Sequence, residues 1–321
     1  MSLPEPAVLR PDILDRARTP FVAADLWYAD AGSVEHISDG TGFIYRFQSG
    51  EQKRYLRLVP SGWRDRAGLQ GELAYIETLR AAGIAVARPL PSRGGELIET
   101  VEDRGNSFLV VAFEAAAGRH VPVREWGEAH ARRFGRLLAQ VHAAAPSAAP
   151  AGTRPEFDDE LALTRDWLPA SETGLHAHLE GAGLWGGTLP RTPDVFGLVH
   201  FDLCEDNVLW VGLEPTVIDF DDCMFTWFAA DIARTIGSLY SADPARYRQV
   251  AAWCMEGYRA VRRLDPVTVA SLPEFVRLNA ISNLAWCLYS RWHGLDIEDA
   301  SEEAESHFRA VITEPRRWCH D

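Results

Sequence analysis

The chain has 321 residues, of which 47% are hydrophobic and 24% charged, and a formal net charge of −14. The length suits two lobes with a substantial core, and the composition is ordinary for a globular protein. So negative a charge argues against nucleic acid or an anionic membrane surface as partner, since both demand a basic surface, while it tolerates a cationic small molecule.

The first residues, M-S-L-P-E-P-A-V-L-R-P-D, are proline-rich and acidic with no hydrophobic signal core, and no apolar run approaches membrane-spanning length. Cys204, Cys223, Cys254, Cys287 and Cys319 are scattered and odd in number, without a C-x-x-C or a histidine cluster at zinc spacing. A reduced, cytoplasmic setting is expected. Residues Pro20 to Tyr28 read as a short helix. Val34 to Pro60 alternates, with turn residues at Ser38 to Gly42 and Ser49 to Gln52, and reads as three strands. The Gly40-Thr41-Gly42 turn can bring backbone N–H groups close to a phosphate, although a plain hairpin turn has the same composition. Arg57 lies between apolar neighbours on the third strand. Arg66 to Ala82 reads as a helix with Leu69, Leu73, Ile76 and Leu79 on one face and Gly83 ending it; Glu72 lies near its start and Glu77 nearer its end.

Glu96 to Glu102 and Ser107 to Glu114 form a further expected strand pair. Glu125 to Ala144 is a periodic helix containing His142, and Ala143 to Thr153 is linker-like. Between Arg154 and Thr192, Leu161, Trp167 and Leu168 suggest a helix and Gly181 to Gly187 a loop. His176 and His178 in this region are candidates to touch a substrate, against the commoner reading of surface histidines. Toward the C-terminus three helices are expected, at Pro244 to Arg263, Pro273 to Trp292 and Asp296 to Pro315. Their aromatics, among them Trp286, Tyr289 and Trp292, read as core ahead of a cage for a quaternary ammonium. The acidic run Asp296 to Glu305 reads as a solvated helix face.

The most informative stretch is Leu198 to Asp231. Leu198 and Val199 deliver His200 and Asp202 to a polar loop; Asn207 precedes the apolar run Val208 to Val211. A turn at Gly212 to Pro215 leads into Thr216 to Ile218, which deliver Asp219, Asp221 and Asp222. Two short runs joined by such a turn make a hairpin, so Asp202, Asn207 and Asp219 are expected to converge. That set suits phosphoryl transfer: one carboxylate orients and deprotonates a hydroxyl, and a second carboxylate and an amide oxygen hold a divalent metal. Asp222 either joins the metal set or caps the following helix.

The spacing H-x-D-x-x-x-x-N followed by D-F-D-D resembles the aminoglycoside phosphotransferase and choline kinase superfamily. The resemblance implies an α+β, two-lobed protein-kinase-like fold: residues 1–116 as a small antiparallel β N-lobe with one helix, and 117–321 as a mainly helical C-lobe. It implies that Asp202 is the catalytic base, that Asn207 and Asp219 are magnesium ligands, that His200 braces the loop and that Asp231 hydrogen-bonds it from the next helix. It further implies that Gly40, Thr41 and Gly42 cover the nucleotide, that Arg57, paired with Glu72, holds its phosphates, and that the backbone from Glu114 to Ala116 binds adenine. Two departures stand out: Phe201 replaces a frequent Gly, and Arg57 replaces the usual Lys.

The implied reaction moves the γ-phosphate of ATP, with GTP not excluded, to a hydroxyl of a small molecule, with Mg2+ as the metal. Two alternatives share the motif: a Ser/Thr protein kinase of the same superfamily, and a nucleotide-binding regulator without turnover. A metal-dependent hydrolase built on the Asp cluster is a further rival. The acceptor and the oligomeric state are not written in these motifs.

Overall fold

The computed structural model describes residues 13–146, 149, 151–239, 244–293 and 301–318. They form two compact units. The first holds the described residues up to Glu77, Val86–Ala116 and Ala151–Thr153; the second holds Thr78–Ala85 and the described residues of 117–150 and 154–321.

The first unit is a six-stranded antiparallel sheet with helices. Its elements are α1 (Thr19–Asp25), β1 (Glu35–Asp39), β2 (Phe43–Ser49), β3 (Gln52–Pro60), α2 (Arg66–Ala81) as far as Glu77, β4 (Pro89–Leu90), β5 (Glu99–Asp103) and β6 (Asn106–Glu114). The strand order is β1-β2-β3-β6-β4, with β5 also paired to β6. Strict alternation decides which residues enter its core. Phe43, Tyr45 and Phe47 on β2, Leu56 and Leu58 on β3, and Phe108, Val110 and Ala112 on β6 share one buried cluster with Ala23, Ala24 and Trp27. Arg57, between Leu56 and Leu58, therefore points to the opposite face. Gly50, at φ 62°, carries the two-residue β2–β3 turn. α2 begins where the Asp65 carboxylate accepts the Gly68 N–H at 2.7 Å. It ends at Gly83 (φ 82°), as expected, with the Ile84 N–H returning to the Leu79 carbonyl at 3.0 Å. Thr153 N–H donates to the Ala67 carbonyl at 2.9 Å, which ties Ala151–Thr153 to this unit.

The second unit is mainly helical: α3 (Glu128–Ala144), α4 (Phe157–Trp167), α5 (Thr173–Gly186), α6 (Phe228–Ser238), α7 (Pro244–Arg259), α8 (Pro266–His293) and α9 (Glu302–Thr313). Two small antiparallel pairs interrupt the helices, β7 (Phe196–Val199) with β10 (Met224–Trp227) and β8 (Val208–Val211) with β9 (Glu214–Val217). α3 and α7 cross at glycines. A Cβ on Gly135 would lie 1.8 Å from the Cys254 carbonyl oxygen, and one on Gly257 2.1 Å from that of Arg132.

Four expectations need correction. Residues 181–187 are not a loop: Gly181 to Gly186 continue α5, and Gly186 is a packing surface whose Cβ would meet the Phe157 ring at 2.8 Å. α8 starts at Pro266, not Pro273, because the Asp265 carboxylate caps it by accepting the Val267 and Thr268 N–H groups at 2.8 and 2.9 Å. Pro273 sits inside the helix. Glu96 to Ile98 stay outside the strand β5, and Glu125 belongs to a 3₁₀ turn (Val123–Glu125) that precedes α3. Met224–Trp227 form a strand that the alternation did not suggest, since all four residues are buried. Of the acidic run, Asp296, Glu298 and Asp299 lie outside the described residues, as does Cys319. Trp286 packs with Trp167 and Tyr289, at ring centroid distances of 4.9 and 6.1 Å, while Trp292 is exposed. Among the described residues, no helix is long and apolar enough to cross a membrane.

Candidate active site

The site of the second unit is built where two strand pairs meet. β7 leads directly into His200, which is fully buried and tilted against the Phe220 ring at 4.6 Å. Its Nε2 donates to the Ile218 carbonyl at 3.1 Å, and its Nδ1 accepts the Asp202 N–H at 3.3 Å. One neutral tautomer satisfies both bonds, and burial, the dominant influence, depresses the pKa of the ring. His200 thus ties the loop holding Asp202 to the residue just before Asp219.

The β8–β9 hairpin brings the remaining groups together. Ile218 N–H donates to the Asn207 carbonyl at 3.0 Å, which sets Asp219 beside Asn207. The Asn207 Nδ2 donates to both the Asp202 carbonyl and the Asp202 Oδ2, each at 2.8 Å. With its nitrogen end committed, the amide directs its oxygen elsewhere, as a cation ligand requires. Asn207 and Asp219 offer hard oxygen donors of the kind that suit Mg2+ or Ca2+. Asp219 has φ 57°, a left-handed conformation that Asp tolerates better than most residues, and its Oδ1 lies 3.4 Å from the Asp221 N–H.

Asp202 is the electrostatic focus. Crowding by surrounding protein, joined by the charges of Asp222 and Asp219, pushes its carboxyl up to about 7 against the opposing pull of Arg234 and Asn207. The side chain keeps 39% of its surface open to solvent, which tempers the desolvation. A divalent cation at Asn207 and Asp219 would favour its ionised form. Cys204, beside it, is pushed up to about 12 by burial and by Asp202, so it remains a thiol.

Behind the loop stands Asp231, fully buried in the first turn of α6. Its Oδ1 accepts the Phe201 N–H at 2.9 Å. Phe201 has φ 63°, the left-handed region that favours glycine, which gives a physical reason for the frequent Gly at this place.

The first unit carries its own polar core. Arg57 donates to Glu72 Oε1 and Oε2 at 2.6 and 2.7 Å, with the two side chains only 8% and 1% exposed. Gly40, Thr41 and Gly42 form the β1–β2 turn, where Gly40 N–H donates to the Gly42 carbonyl at 3.1 Å. A Cβ on Gly42 would lie 3.1 Å from the Leu58 carbonyl oxygen and 3.3 Å from Arg57 Cγ, so the turn hugs β3. Glu114 ends β6, its N–H on the Arg88 carbonyl at 2.9 Å and its carboxylate paired with Arg88; Ala116 follows just past the strand.

The model of the phosphotransferase enzyme family matches residues 33–264. The chain belongs to this family. It is a small-molecule kinase, a phosphotransferase with an alcohol group as acceptor, and its α+β architecture is that of the protein-kinase-like members. It is 30% identical over 257 residues to an amicoumacin kinase of Bacillus subtilis (strain 168), covering 76% of each chain. A homoserine kinase of Methylobacterium radiotolerans is 29% identical over 64% of each chain. Among solved structures, the amicoumacin kinase hAmiN, in complex with AMP-PNP, Ca2+ and Ami, superposes with a TM-score of 0.82 at 23% identity over 95% of each chain. A microcompartment-associated aminopropanol kinase does so with 0.69 at 24% identity, over 91% of this chain and 93% of its own.

The family motif draws attention to its acidic residues, and two arginines escaped notice. Arg154 is buried, and its Nε donates to the Cys223 carbonyl at 2.6 Å and its Nη2 to the Asp221 carbonyl, clamping the chain after Asp219. Arg234 lies one helical turn after Asp231, its Nε 3.7 Å from Asp202 Oδ1 and its Nη2 3.9 Å from Asp222 Oδ2. The i, i+3 spacing of Asp231 and Arg234 was a legible signal for the second; Arg154, in the region least readable from sequence, offered none. Asp222 does not cap a helix, because α6 begins only at Phe228. His176 hydrogen-bonds the Pro169 carbonyl at 3.2 Å and His178 pairs with Glu274 at 2.6 Å.

Proposed function

We propose that this kinase transfers the γ-phosphate of ATP to a hydroxyl of a small molecule, with Asp202 as the base. The observation that carries the reading is the pair of hydrogen bonds that Asn207 Nδ2 donates to the carbonyl and the carboxylate of Asp202, which orients the carboxylate and the amide oxygen at once. Asp202 aligns the acceptor hydroxyl and takes its proton as the oxygen bonds to the γ-phosphorus and the bond from that phosphorus to the bridging oxygen of ADP breaks, so that ADP leaves. Asn207 and Asp219 would hold Mg2+, which supplies charge neutralisation at the phosphate oxygens when bound. Arg57, fixed by Glu72, would steady the phosphates; Gly40, Thr41 and Gly42 would cover them; the backbone of Glu114 and Ala116 would receive adenine. His200 and Asp231 hold the loop.

For the acceptor we put amicoumacin first: ahead of homoserine, because the amicoumacin kinase aligns over the larger share of the chain, and ahead of aminopropanol, because the amicoumacin kinase structure superposes with the higher TM-score. A cationic acceptor accords with the net charge of −14. A cytoplasmic setting accords with five scattered cysteines, an odd number. ADP release with MgATP or MgGTP is the test, across amicoumacin, homoserine, aminopropanol and spectinomycin, with Asp202→Asn and Asp219→Asn alongside. Turnover with one compound, lost in both variants at retained fold, is the expected result. Nucleotide binding without turnover of any compound would favour a regulator, and phosphate found on the protein itself would favour a protein kinase.

A further inference from the structure

Arg234 is a half-buried charge with a separate partner for each nitrogen. Its Nε faces Asp202 Oδ1 at 3.7 Å, its Nη2 faces Asp222 Oδ2 at 3.9 Å, and its Nη1 donates to Asn279 Oδ1 on α8 at 3.2 Å. Its guanidinium also lies 4.8 Å from the centre of the Phe201 ring. The side chain is 18% exposed, against 39% and 42% for Asp202 and Asp222. A long side chain held on three sides and by a ring does not wander, and a planar fork reaches two carboxylates where an ammonium reaches one.

The placement along α6 adds meaning. Asp231 grips the backbone of the catalytic loop through Phe201 N–H, and Arg234, one turn on, meets the side chain of the next residue. Asp202 Oδ2 is already engaged by Asn207 Nδ2 at 2.8 Å, so Arg234 addresses the other oxygen. Asp202 and Asp222 carry like charge, and Arg234 is the cation set against both. Without it they would repel, and among the described residues Asn207 would be the side chain left to oppose rotation of the Asp202 carboxylate.

We propose that Arg234 is a positioning residue for phosphoryl transfer: it bridges Asp202 and Asp222 and fixes the rotation of the Asp202 carboxylate toward the acceptor hydroxyl. This rests on the reading of Asp202 as the base. Arg234 acts through Asp202, so its loss falls on the chemical step and leaves nucleotide affinity in place. Removing the charge of Asp222 then relieves part of the damage, because the repulsion that Arg234 had balanced is gone.

The test uses Arg234→Gln, Arg234→Lys, the double variant Arg234→Gln with Asp222→Asn, and Asp202→Asn. Each is assayed with MgATP and amicoumacin, homoserine and aminopropanol in parallel, with folding followed by circular dichroism. Misplacing a reacting group by about 1 Å costs roughly 100-fold. Arg234→Gln is therefore expected to lose about that factor in kcat with the KM for ATP within about twofold, Arg234→Lys to recover part of it, and the double variant to exceed Arg234→Gln. A kcat within threefold of the parent, a loss confined to KM, or a double variant no better than Arg234→Gln overturns the proposal. Should Arg234→Gln fail to fold, Arg234→Lys decides: a reduced kcat at unchanged KM supports the proposal and a parental kcat overturns it. Asp202→Asn separates the two ideas. Activity lost there but kept in Arg234→Gln removes only the positioning role, whereas full activity in Asp202→Asn, or an inactive parent, removes the base assignment and the proposal together.

Discussion

His142 Nε2 and Asp231 Oδ2 lie 2.8 Å apart, and neither side chain is exposed. The His142 Nδ1 is 2.8 Å from the Tyr258 hydroxyl, and Asp231 Oδ1 takes the Phe201 N–H. A buried chain of polar groups therefore runs from α7 through α3 and α6 to the loop that holds Asp202. Burial dominates the His142 environment and depresses its pKa, so the ring is neutral, donating to Asp231 and accepting from Tyr258. Each end of this chain is satisfied, and breaking it leaves a buried polar group without its bond.

The pH dependence of stability follows. The unfolded imidazole takes up a proton near about 6.5 and the folded one does so only at lower pH. Between those values the unfolded state binds more protons, so stability present above about 6.5 is lost as pH falls through this range. Urea unfolding at pH 7.5 and 5.5 is expected to show that loss, and to show a smaller one in His142→Gln, which titrates nothing there. Equal losses in parent and variant would refute the assignment.

Phe201 sets two effects against each other. Its left-handed backbone costs about 1–2 kcal/mol that glycine would not incur. Its ring, 9% exposed, contributes about 1.5–3 kcal/mol by burial, and a glycine adds about 0.5–1 kcal/mol of lost chain entropy. Burial wins narrowly, so Phe201→Gly is expected to lower stability by about 1 kcal/mol in chemical denaturation. A more stable variant would mean that the strain is the larger quantity.

Gly135→Ala tests the α3–α7 crossing. Alanine is worth about 1 kcal/mol over glycine in a helix interior. Here its methyl would lie 1.8 Å from the Cys254 carbonyl oxygen, which is backbone and cannot swing aside. Overpacking of this kind costs about 1–3 kcal/mol, more when whole helices must separate. Calorimetry is expected to give a lower Tm for Gly135→Ala; a raised Tm would show that the helices part easily.

Glu72→Gln probes the buried pair on β3 and α2. The carboxylate holds Arg57 through two short contacts at almost no exposure. Removing one charge of a buried pair leaves the other uncompensated, at about 3 kcal/mol or more. Loss of that order in urea unfolding is expected, together with weaker ATP binding by titration calorimetry. An unchanged stability would place the guanidinium in contact with solvent or another anion.

Much of this protein is determined locally. The alternation of Phe43, Tyr45 and Phe47, the periodic face of α2 with Gly83 behind it, and the polar ends of β7, β8 and β9 depend on spacing within a few residues, and spacing is what a sequence displays. The α8 start was equally local, an Asp265 cap before Pro266, but Pro273 is the more conspicuous proline and drew the boundary to itself. Other features depend on which distant segments meet. Gly181 to Gly186 look like a loop until Phe157 packs on Gly186, because glycine's permissiveness is indistinguishable from its smallness in one dimension. Arg154 and the partners of His142 were beyond reach for the same reason, and so were the contacts of Arg234, though its spacing from Asp231 was not. A buried charge is specified by what surrounds it, and Cys223, Asp202 and Tyr258 come to these side chains only when the chain has folded. Local spacing displays candidate carboxylates and amides; which side chains hold them in place depends on contacts that form only on folding.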